Sequence, residues 1–524
     1  MRLAIVTENP SCFSDIAEII HIFFPDASVV LMSGNNCHST VFVDRAQVQR
    51  AANDAARENI GGTQSPEANI YYPDTNDEKG MEDSGIVAHF HRERDGWAEN
   101  AFAYQGVRYV WTIRIDGDAW EQKRRRKRGM KQACYYLMKK ITGLSPPWGS
   151  LTGIRPTLLF HARLSTGEKP PDIREALIKT YDLREEKARL LYDIALVQQP
   201  LRNTLANAFD LYVGIPFCVS RCSYCSFFAE TVGNGQKILP YVDTLLAELQ
   251  ATSEIALGAG LSPRALYVGG GTPTAIGVKP LETILRAVDT LFGGFMEITV
   301  EAGRPDTLST EMLRMIKDSG VTRVSVNPQT MNDRTLQAIG RNHTAKESVA
   351  AYAKARKMGF DNINMDVIAA LPGEMENDFE RTMRIIANLS PDSLTVHMLA
   401  RKHGSVINEK GFTPAPPAAA NAMVGMGHDY ALRMNMRPYY LYRQKYVAGN
   451  LENVGYAKPA KECLYNIDMM EETASILAAG AGAISKRVWR DGSRIERAPN
   501  AGDIGHYMSR VREMIERKRK LWRV

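Results

Sequence analysis

Three cysteines within eight residues are the side chains of this sequence best suited to chemistry. Cys218, Cys222 and Cys225 lie in the segment CVSRCSYC with a C-x3-C-x2-C spacing, directly after a run that predicts a strand. Seven cysteines in 524 residues are too few for a disulfide framework. A structural zinc site usually takes four ligands, often as two C-x2-C pairs, and no such pair occurs elsewhere in the sequence. Three thiolates on a short loop can instead hold three irons of a [4Fe–4S] cluster, leaving the fourth iron open to a substrate or cofactor.

Glycines and polar residues follow the other predicted strands. The run GGGT at 269–272 ends the second strand, and glycines there allow the backbone to approach a ligand, although a plain tight turn would also use them. Glu301 ends the third strand, and Asp366 lies in an apolar run of the fifth, where a carboxylate needs a partner. His397 on the last strand suits either a satisfied core position or a catalytic role. These positions predict a ligand site near the cysteines.

Strand-like and helical patterns alternate over the middle of the chain and would position these residues. The strand patterns cover 211–217, 265–271, 297–302, 323–329, 362–371 and 394–399. The helical patterns cover 239–256, 281–291, 310–318, 346–358 and 376–387. Such repeats predict a parallel sheet with helices outside it. Right-handed crossovers then give an α/β fold, a partial (β/α)6 TIM-like barrel with its chemistry at the carboxyl ends of the strands.

The flanking segments have a different texture. We expect an N-terminal α/β or α+β domain of unassigned role over 1–145, a helical linker over 146–205, the barrel over 206–400 and a mainly helical C-terminal domain over 401–524 that covers the active site. The acidic, turn-rich stretch 71–85 predicts a loop. The basic run KRRRKR at 123–128 leads into a helix and suits either a solvated face or a site for an anionic ligand or partner.

The composition is that of an ordinary globular enzyme. The chain is 44% hydrophobic and 24% charged, which excludes a disordered, collagen-like or coiled-coil protein. A net charge of +6 does not indicate a nucleic-acid partner but suits an acidic small substrate. The longest candidate membrane stretch, 474–484, is far below the roughly 20 residues that a span needs. The N-terminus has no apolar core of signal-peptide length, so we expect a cytoplasmic protein without a membrane span.

The cysteine motif also carries a resemblance. With an aromatic residue, Tyr224, before its last cysteine, it resembles the radical S-adenosylmethionine superfamily. Within that superfamily, LYVGIPFCVSRCSYCSF followed by LYVGGGTPT is similar to the oxygen-independent coproporphyrinogen III dehydrogenase family, over residues 210–400. WGSLTGIRP and LYRQKYVAGNLENVGY, outside that span, resemble the HemZ branch of the family.

The resemblance implies two cofactors, a [4Fe–4S] cluster on the three cysteines and S-adenosylmethionine at its open iron. It implies that the glycines lie against the amino-acid end of S-adenosylmethionine and that Glu301 contacts the cofactor. Gln329 and Arg341 would serve its ribose and carboxylate, since a guanidinium fork suits a carboxylate, and Asp366 would bind ribose hydroxyls. The implied cofactor-binding residues are Tyr212, Tyr224, Gly269, Gly270, Gly271, Thr272, Glu301, Gln329, Arg341 and Asp366.

The family's reaction is implied in the same way. A 5′-deoxyadenosyl radical would abstract hydrogen from the β-carbon of a propionate, and loss of carbon dioxide and an electron would leave a vinyl group. Two such steps would convert coproporphyrinogen III to protoporphyrinogen IX in haem biosynthesis. The partners would be a tetrapyrrole, for whose carboxylates Arg443 and Lys445 are candidates, and an electron donor and acceptor that the sequence does not identify.

One departure from the family keeps other functions open. Some dehydrogenases of the family carry a fourth cysteine two residues after the third, where this chain has Phe227, as in related haem-trafficking members. The alternatives are a haem-binding chaperone that keeps the cluster and a radical enzyme acting on another tetrapyrrole. A protein for electron transfer alone would not need the glycine run, Glu301 and Arg341.

Overall fold

The structure is a computed structural model that describes residues 2–7, 9–25, 27–32, 86–202, 205–227, 229–400, 405–409, 415–444, 447–489 and 494–523. The loop predicted over 71–85 and the substrate candidate Lys445 lie outside these residues. The chain divides into two compact units, one of residues 1–152 with 177–184 and one of residues 153–176 with 185–524. None of the described helices combines the length and the apolar composition that crossing a membrane requires.

The described residues of the first unit include a mixed five-stranded sheet and two helices that precede and follow strands of that sheet. Its strands are β1 (Arg2–Thr7), β2 (Ser28–Met32), β3 (Ile86–Arg94), β4 (Trp97–Tyr104) and β5 (Val107–Arg114), in the order β2-β1-β3-β4-β5. The helices are α1 (Phe13–Phe23) and α2 (Ala119–Thr142). β1 pairs in parallel with β2 and β3, whereas β3, β4 and β5 form an antiparallel meander. Of the two predicted classes for this segment, α/β and α+β, the mixture of parallel and antiparallel strands corresponds to α+β.

The basic run lies on α2, and three of its six side chains pair with carboxylates of the same unit. Arg126 donates to both oxygens of Glu93 at 2.6 and 3.0 Å. Lys127 lies 2.9 Å from Asp15, and Arg125 lies 2.6 Å from a carboxylate oxygen of Asp116. These pairs favour the solvated-face interpretation of the run over an anion site.

The second unit is built on an eleven-stranded sheet with helices outside it. Its strand order is β14-β15-β13-β12-β11-β10-β9-β6-β16-β17-β18. The strands, with the short pair β7 and β8, are β6 (Ala208–Ile215), β7 (Phe217–Cys218), β8 (Glu230–Thr231), β9 (Ser262–Gly270), β10 (Glu297–Val300), β11 (Arg323–Ser325), β12 (Ile363–Ala369), β13 (Ser393–Met398), β14 (Arg437–Arg443), β15 (Glu452–Ala457), β16 (Ser475–Ala479), β17 (Ile484–Val488) and β18 (Ile495–Pro499). The six predicted strands, β6 and β9 to β13, pair in parallel, as expected for the barrel.

The helices alternate with these strands as the sequence predicts. Among the described residues the remaining helices are α3 (Thr157–Leu164), α4 (Pro170–Tyr181), α5 (Glu185–Gln198), α6 (Ile238–Gly258), α7 (Val278–Leu291), α8 (Thr310–Asp318), α9 (Asp333–Ala338), α10 (Ala345–Lys357), α11 (Glu376–Leu389), α12 (Val406–Glu409), α13 (Pro417–Arg433), α14 (Leu464–Glu471) and α15 (Ile504–Trp522). The parallel strands are nearly continuous runs of buried apolar residues, as strands covered on both faces require.

The C-terminal segment contains more sheet than the sequence suggests. Beside its helices it supplies β14 and β15, which extend the sheet antiparallel beyond β13, and β16, which adds a seventh parallel strand beside β6. In the described residues the sheet ends at β14 and β18, so the barrel is partial. The carboxyl ends of its parallel strands meet at one edge, where the predicted site residues lie.

Candidate functional site

A cavity of about 380 Å³ opens at the carboxyl ends of the parallel strands. It brings together most of the residues that the sequence singles out. Its lining includes Cys218, Cys222, Cys225, Tyr224, Gly270, Gly271, Thr272, Glu301, Gln329, Arg341, Asp366 and His397. The site therefore draws on the ends of six strands and on the loop that follows the first of them.

The cysteine loop is held by hydrogen bonds from neighbouring loops. Ser223 donates its amide to Ile339 O at 3.0 Å and accepts the amide of Ile407 at 3.0 Å on its own carbonyl. Thr272 Oγ1 lies 3.7 Å from Cys218 Sγ, and all three cysteines are free thiols. Burial raises the pKa of Cys218, so a bound cation is needed to stabilise its thiolate.

The three thiols do not converge on a single ion. In the part of the chain that the structure describes, no three His, Cys, Asp or Glu side chains are grouped as ligands of one metal ion. A cubane cluster takes each cysteine on a different iron, so its thiolates stand apart. Three thiols on one loop can each bind a different iron of a [4Fe–4S] cluster.

The glycine run lets the end of β9 approach the cysteine loop. Gly271 donates its amide to Ile215 O at 2.8 Å. A Cβ at Gly271 would lie 2.6 Å from Phe217 O and 2.9 Å from Cys218 Sγ, closer than any side chain can fit. The glycine is thus required by backbone packing as well as by access to the cavity, where Gly270 and Gly271 are exposed to a ligand.

Glu301 is a half-buried carboxylate in the lining of the cavity. Tyr267 OH donates to its Oε1 at 2.7 Å. Burial raises the pKa of Glu301 to about 7, even though the Tyr267 hydrogen bond lowers it. A positively charged ligand group in the cavity would favour the ionised form of Glu301.

Gln329 and Arg341 line the cavity, and each has a buried polar atom without a hydrogen-bond partner among the described residues. Gln329 is only 7% exposed, and its Oε1 has no partner among the described residues. Arg341 Nη1 donates to Asn327 O at 3.0 Å and Nη2 to Tyr224 OH at 3.1 Å, but its Nε has no partner in the described part of the chain. Asn327 Oδ1 is unpartnered there as well. Buried polar atoms without partners are rare, so their concentration here indicates a ligand.

Asp366 forms a cluster with two neighbours at the cavity wall. Asn364 Nδ2 donates to Asp366 Oδ1 at 2.8 Å, and His397 Nε2 lies 3.7 Å from Asp366 Oδ2. Burial would raise the pKa of Asp366, but the interactions with His397 and Asn364 hold it below its usual value. His397 Nδ1 lies 3.2 Å from Tyr442 OH. Asp366 is therefore an ionised acceptor, which suits ligand hydroxyls.

Three of the sequence candidates lie elsewhere. Tyr212 stacks on Tyr267 and Tyr465, with ring centroids 6.4 and 6.2 Å apart, and does not line the cavity. Gly269 lies against Tyr267 rather than in the lining. Arg443 is buried and donates to Asn450 O at 3.2 Å, and it does not reach the cavity described here.

Other residues of the site carry no motif in the sequence. Tyr267, Asn327 and Tyr442 line the cavity or support it, and each lies on a strand or directly after one. The alternation of side chains along a strand could have identified Tyr267 and Asn327. Tyr267 lies two and four residues before the predicted cofactor-binding residues Gly269 and Gly271, and Asn327 lies two residues before Gln329. Tyr442 lies on β14, a strand that was not expected in the sheet.

The donor set fits a thiolate-held cluster beside a zwitterionic, hydroxyl-bearing ligand. Three thiols lie on one loop, Glu301 suits an ammonium group, the Arg341 guanidinium suits a carboxylate, and Asp366 suits hydroxyls. The unpartnered atoms of Gln329 and Arg341 leave room for such a ligand's hydrogen bonds.

Comparisons with known proteins agree with this chemistry. The chain matches the Radical SAM superfamily over residues 212–386. It is 36% identical over 393 residues to the oxygen-independent coproporphyrinogen-III oxidase-like protein HemZ of Bacillus subtilis, covering 73% of this chain and 78% of that protein. It is 28% identical over 308 residues to the heme chaperone HemW of Bacillus subtilis, covering 58% of this chain and 76% of HemW. The solved structure of coproporphyrinogen III oxidase HemN from Escherichia coli matches with 22% identity and a TM-score of 0.49, covering 61% of this chain and 73% of that one.

Proposed function

Because the chain belongs to the radical SAM superfamily and, within it, to the family of the oxygen-independent coproporphyrinogen-III oxidase-like protein HemZ, we propose that it decarboxylates coproporphyrinogen III without oxygen. Two propionate groups would be converted to vinyl groups, giving protoporphyrinogen IX. The cofactors of the superfamily are a [4Fe–4S] cluster and S-adenosylmethionine. The observation that supports the proposal most is the convergence of three cysteines with Glu301, Gln329, Arg341 and Asp366 in one cavity.

Each polar residue of the cavity has a role in this proposal. When bound, the cluster and S-adenosylmethionine supply a 5′-deoxyadenosyl radical for hydrogen abstraction. Cys218, Cys222 and Cys225 hold the cluster. Glu301 accepts a hydrogen bond from the ammonium of S-adenosylmethionine, and Arg341 binds its carboxylate.

The remaining contacts orient the cofactor and its substrate. Gln329 and Asp366 bind the ribose, and the backbone of Gly270, Gly271 and Thr272 lies against the amino-acid end. Tyr440 and Tyr442, stacked with ring centroids 6.4 Å apart, form an apolar wall that keeps water from the reacting carbon. Precise orientation and exclusion of water are what the protein contributes to a radical reaction.

A second function, haem binding, also has an observation in its favour. The relatives include the heme chaperone HemW of Bacillus subtilis. In this chain Phe227, which is 61% exposed, stands at the position where some dehydrogenases of the family carry a fourth cysteine. A haem-binding protein would retain the cluster but would not decarboxylate a propionate.

One anaerobic assay separates these functions. Reconstituted protein is mixed with S-adenosylmethionine, dithionite and coproporphyrinogen III, and the products are separated by mass. The proposal predicts a tripropionate intermediate and protoporphyrinogen IX, each lighter by the carboxyl groups lost. Unchanged substrate together with tight haem binding by the same sample would replace the proposal with the chaperone function.

A further inference from the structure

A buried arginine of the site has no part in the proposed cofactor contacts. Arg304 lies four residues after the end of β10 and is 2% exposed. Its Nη1 donates to Ser220 Oγ at 2.8 Å and to Ser220 O at 3.3 Å. Ser220 stands between Cys218 and Cys222, so this guanidinium is attached to the middle of the cysteine loop.

The rest of the guanidinium is paired with a carboxylate. Arg304 Nε donates to Asp306 Oδ1 at 3.0 Å and Nη2 to Asp306 Oδ2 at 2.8 Å. This two-bond fork fixes the orientation of Arg304 as well as its charge. Asp306 is itself 25% exposed, so its charge is partly screened by solvent, whereas that of Arg304 is not.

Charges this close to a cluster act on its reduction. Reduction adds one electron, and hence one negative charge, to the cluster, and iron–sulfur potentials depend on nearby charge and hydrogen bonds. A buried positive charge favours the reduced form, and a nearby carboxylate opposes it.

We propose that Arg304 is a positioning residue for the cluster, holding the cysteine loop at Ser220 while the Arg304–Asp306 pair sets the reduction potential of the cluster. The inference rests on the proposed assignment of the cluster to the three cysteines. Two other basic groups lie close by. Arg341 keeps a fixed charge in every variant, and burial lowers the pKa of His343 to about 4, so His343 is neutral near neutral pH.

The test is a redox titration of the reconstituted full-length protein, followed by electron paramagnetic resonance near neutral pH. Arg304→Gln leaves Asp306 uncompensated, so its cluster should be about tenfold harder to reduce, a potential lower by about 59 mV. Asp306→Asn leaves Arg304 uncompensated and should raise the potential by a similar amount. Arg304→Lys keeps the charge but loses the fork, so it should lower cluster content more than it moves the potential.

A matched control removes a comparable pair far from the site. Arg286 donates to Glu282 at 2.5 Å on the exposed face of α7, and Arg286→Gln should leave the potential unchanged. Opposite shifts in Arg304→Gln and Asp306→Asn support the proposal, because loosened packing would not reverse sign. Shifts of the same sign, or none, overturn it.

The outcomes stay distinguishable from a failure of the proposed function. If Arg304→Gln does not retain a cluster, the direction of the Asp306→Asn shift decides, with an upward shift supporting the proposal and any other result overturning it. If the wild-type protein takes up no cluster on the three cysteines, the assignment of the metal site fails before any variant is compared.

Discussion

The ionisation of Glu301 should control the binding of S-adenosylmethionine. The carboxylate is half-buried and accepts a hydrogen bond from Tyr267 OH at 2.7 Å. Replacing it by Gln removes the charge and keeps the shape. A charge-assisted hydrogen bond contributes about 1.5–3 kcal/mol, so we expect Glu301→Gln to weaken cofactor binding about 10- to 150-fold.

The same interaction predicts how the affinity for S-adenosylmethionine changes with pH. The pKa of Glu301 is raised to about 7 by burial, so the carboxylate becomes protonated, and the pair with the ammonium is lost, as the pH falls below that value. Affinity should therefore fall about tenfold per pH unit on the acid side, while loss of the ammonium proton weakens it above about pH 8. Tyr267→Phe removes a hydrogen bond that lowers the pKa of Glu301. In this variant the loss of affinity on the acid side should therefore begin at a higher pH.

Anaerobic isothermal titration of S-adenosylmethionine into the cluster-loaded protein measures both effects. The affinity of Glu301→Gln should no longer fall on the acid side, and the affinity of Glu282→Gln, a change on the protein surface, should match that of the wild type. The reasoning would be refuted if the affinity of Glu301→Gln still fell on the acid side, or if it fell at the same pH in Tyr267→Phe as in the wild type.

Three further predictions follow from the same contacts. Cys222→Ala should abolish cluster absorbance and cofactor cleavage, whereas Cys12→Ala should keep both; cleavage retained without Cys222 contradicts the metal assignment. Arg341→Lys loses the fork that suits a carboxylate and should weaken S-adenosylmethionine binding about tenfold in isothermal titration with unchanged iron content; equal affinity would remove Arg341 from the cofactor site. Glu248→Gln breaks a buried pair with Lys518, 2.8 Å away, and should lower the free energy of unfolding by about 3–5 kcal/mol in denaturant titration; an unchanged midpoint would show that the pair does not hold α15 to α6.

The barrel and most of its site could be predicted because local patterns and global fold agree there. The parallel strands are nearly continuous buried runs, and their ends carry cysteines, glycines or a carboxylate at positions that the fold brings to one edge. Glu301, directly after β10, and Asp366, within β12, could be identified because a carboxylate on a buried strand or at its end has to be paired or bound.

The strands added by the C-terminal segment could not be predicted from local pattern. β15 has the sequence ENVGYA, with residues that rarely form strands. Gly455 is required because the ring of Tyr440 lies where its Cβ would be, 1.7 Å from Tyr440 Cε1. That contact is between two strands, so the sequence of neither strand alone indicates it.

Hydrogen bonds that depend on tertiary packing were missed for a similar reason. Arg304 follows a turn after β10, and nothing in its neighbourhood indicates that it reaches Ser220, 84 residues earlier in the chain. Arg443, a basic residue among tyrosines that suggests a substrate contact, donates to the backbone carbonyls of Gly153 and Asn450.

The most direct test of the central claim follows one hydrogen atom. Coproporphyrinogen III carrying deuterium on the β-carbons of its propionates is incubated anaerobically with reconstituted protein, dithionite and S-adenosylmethionine, and the 5′-deoxyadenosine is analysed by mass. The proposed function predicts that deuterium appears in 5′-deoxyadenosine in step with formation of the vinyl products. Unlabelled 5′-deoxyadenosine, formed at the same rate with and without the substrate, would contradict it.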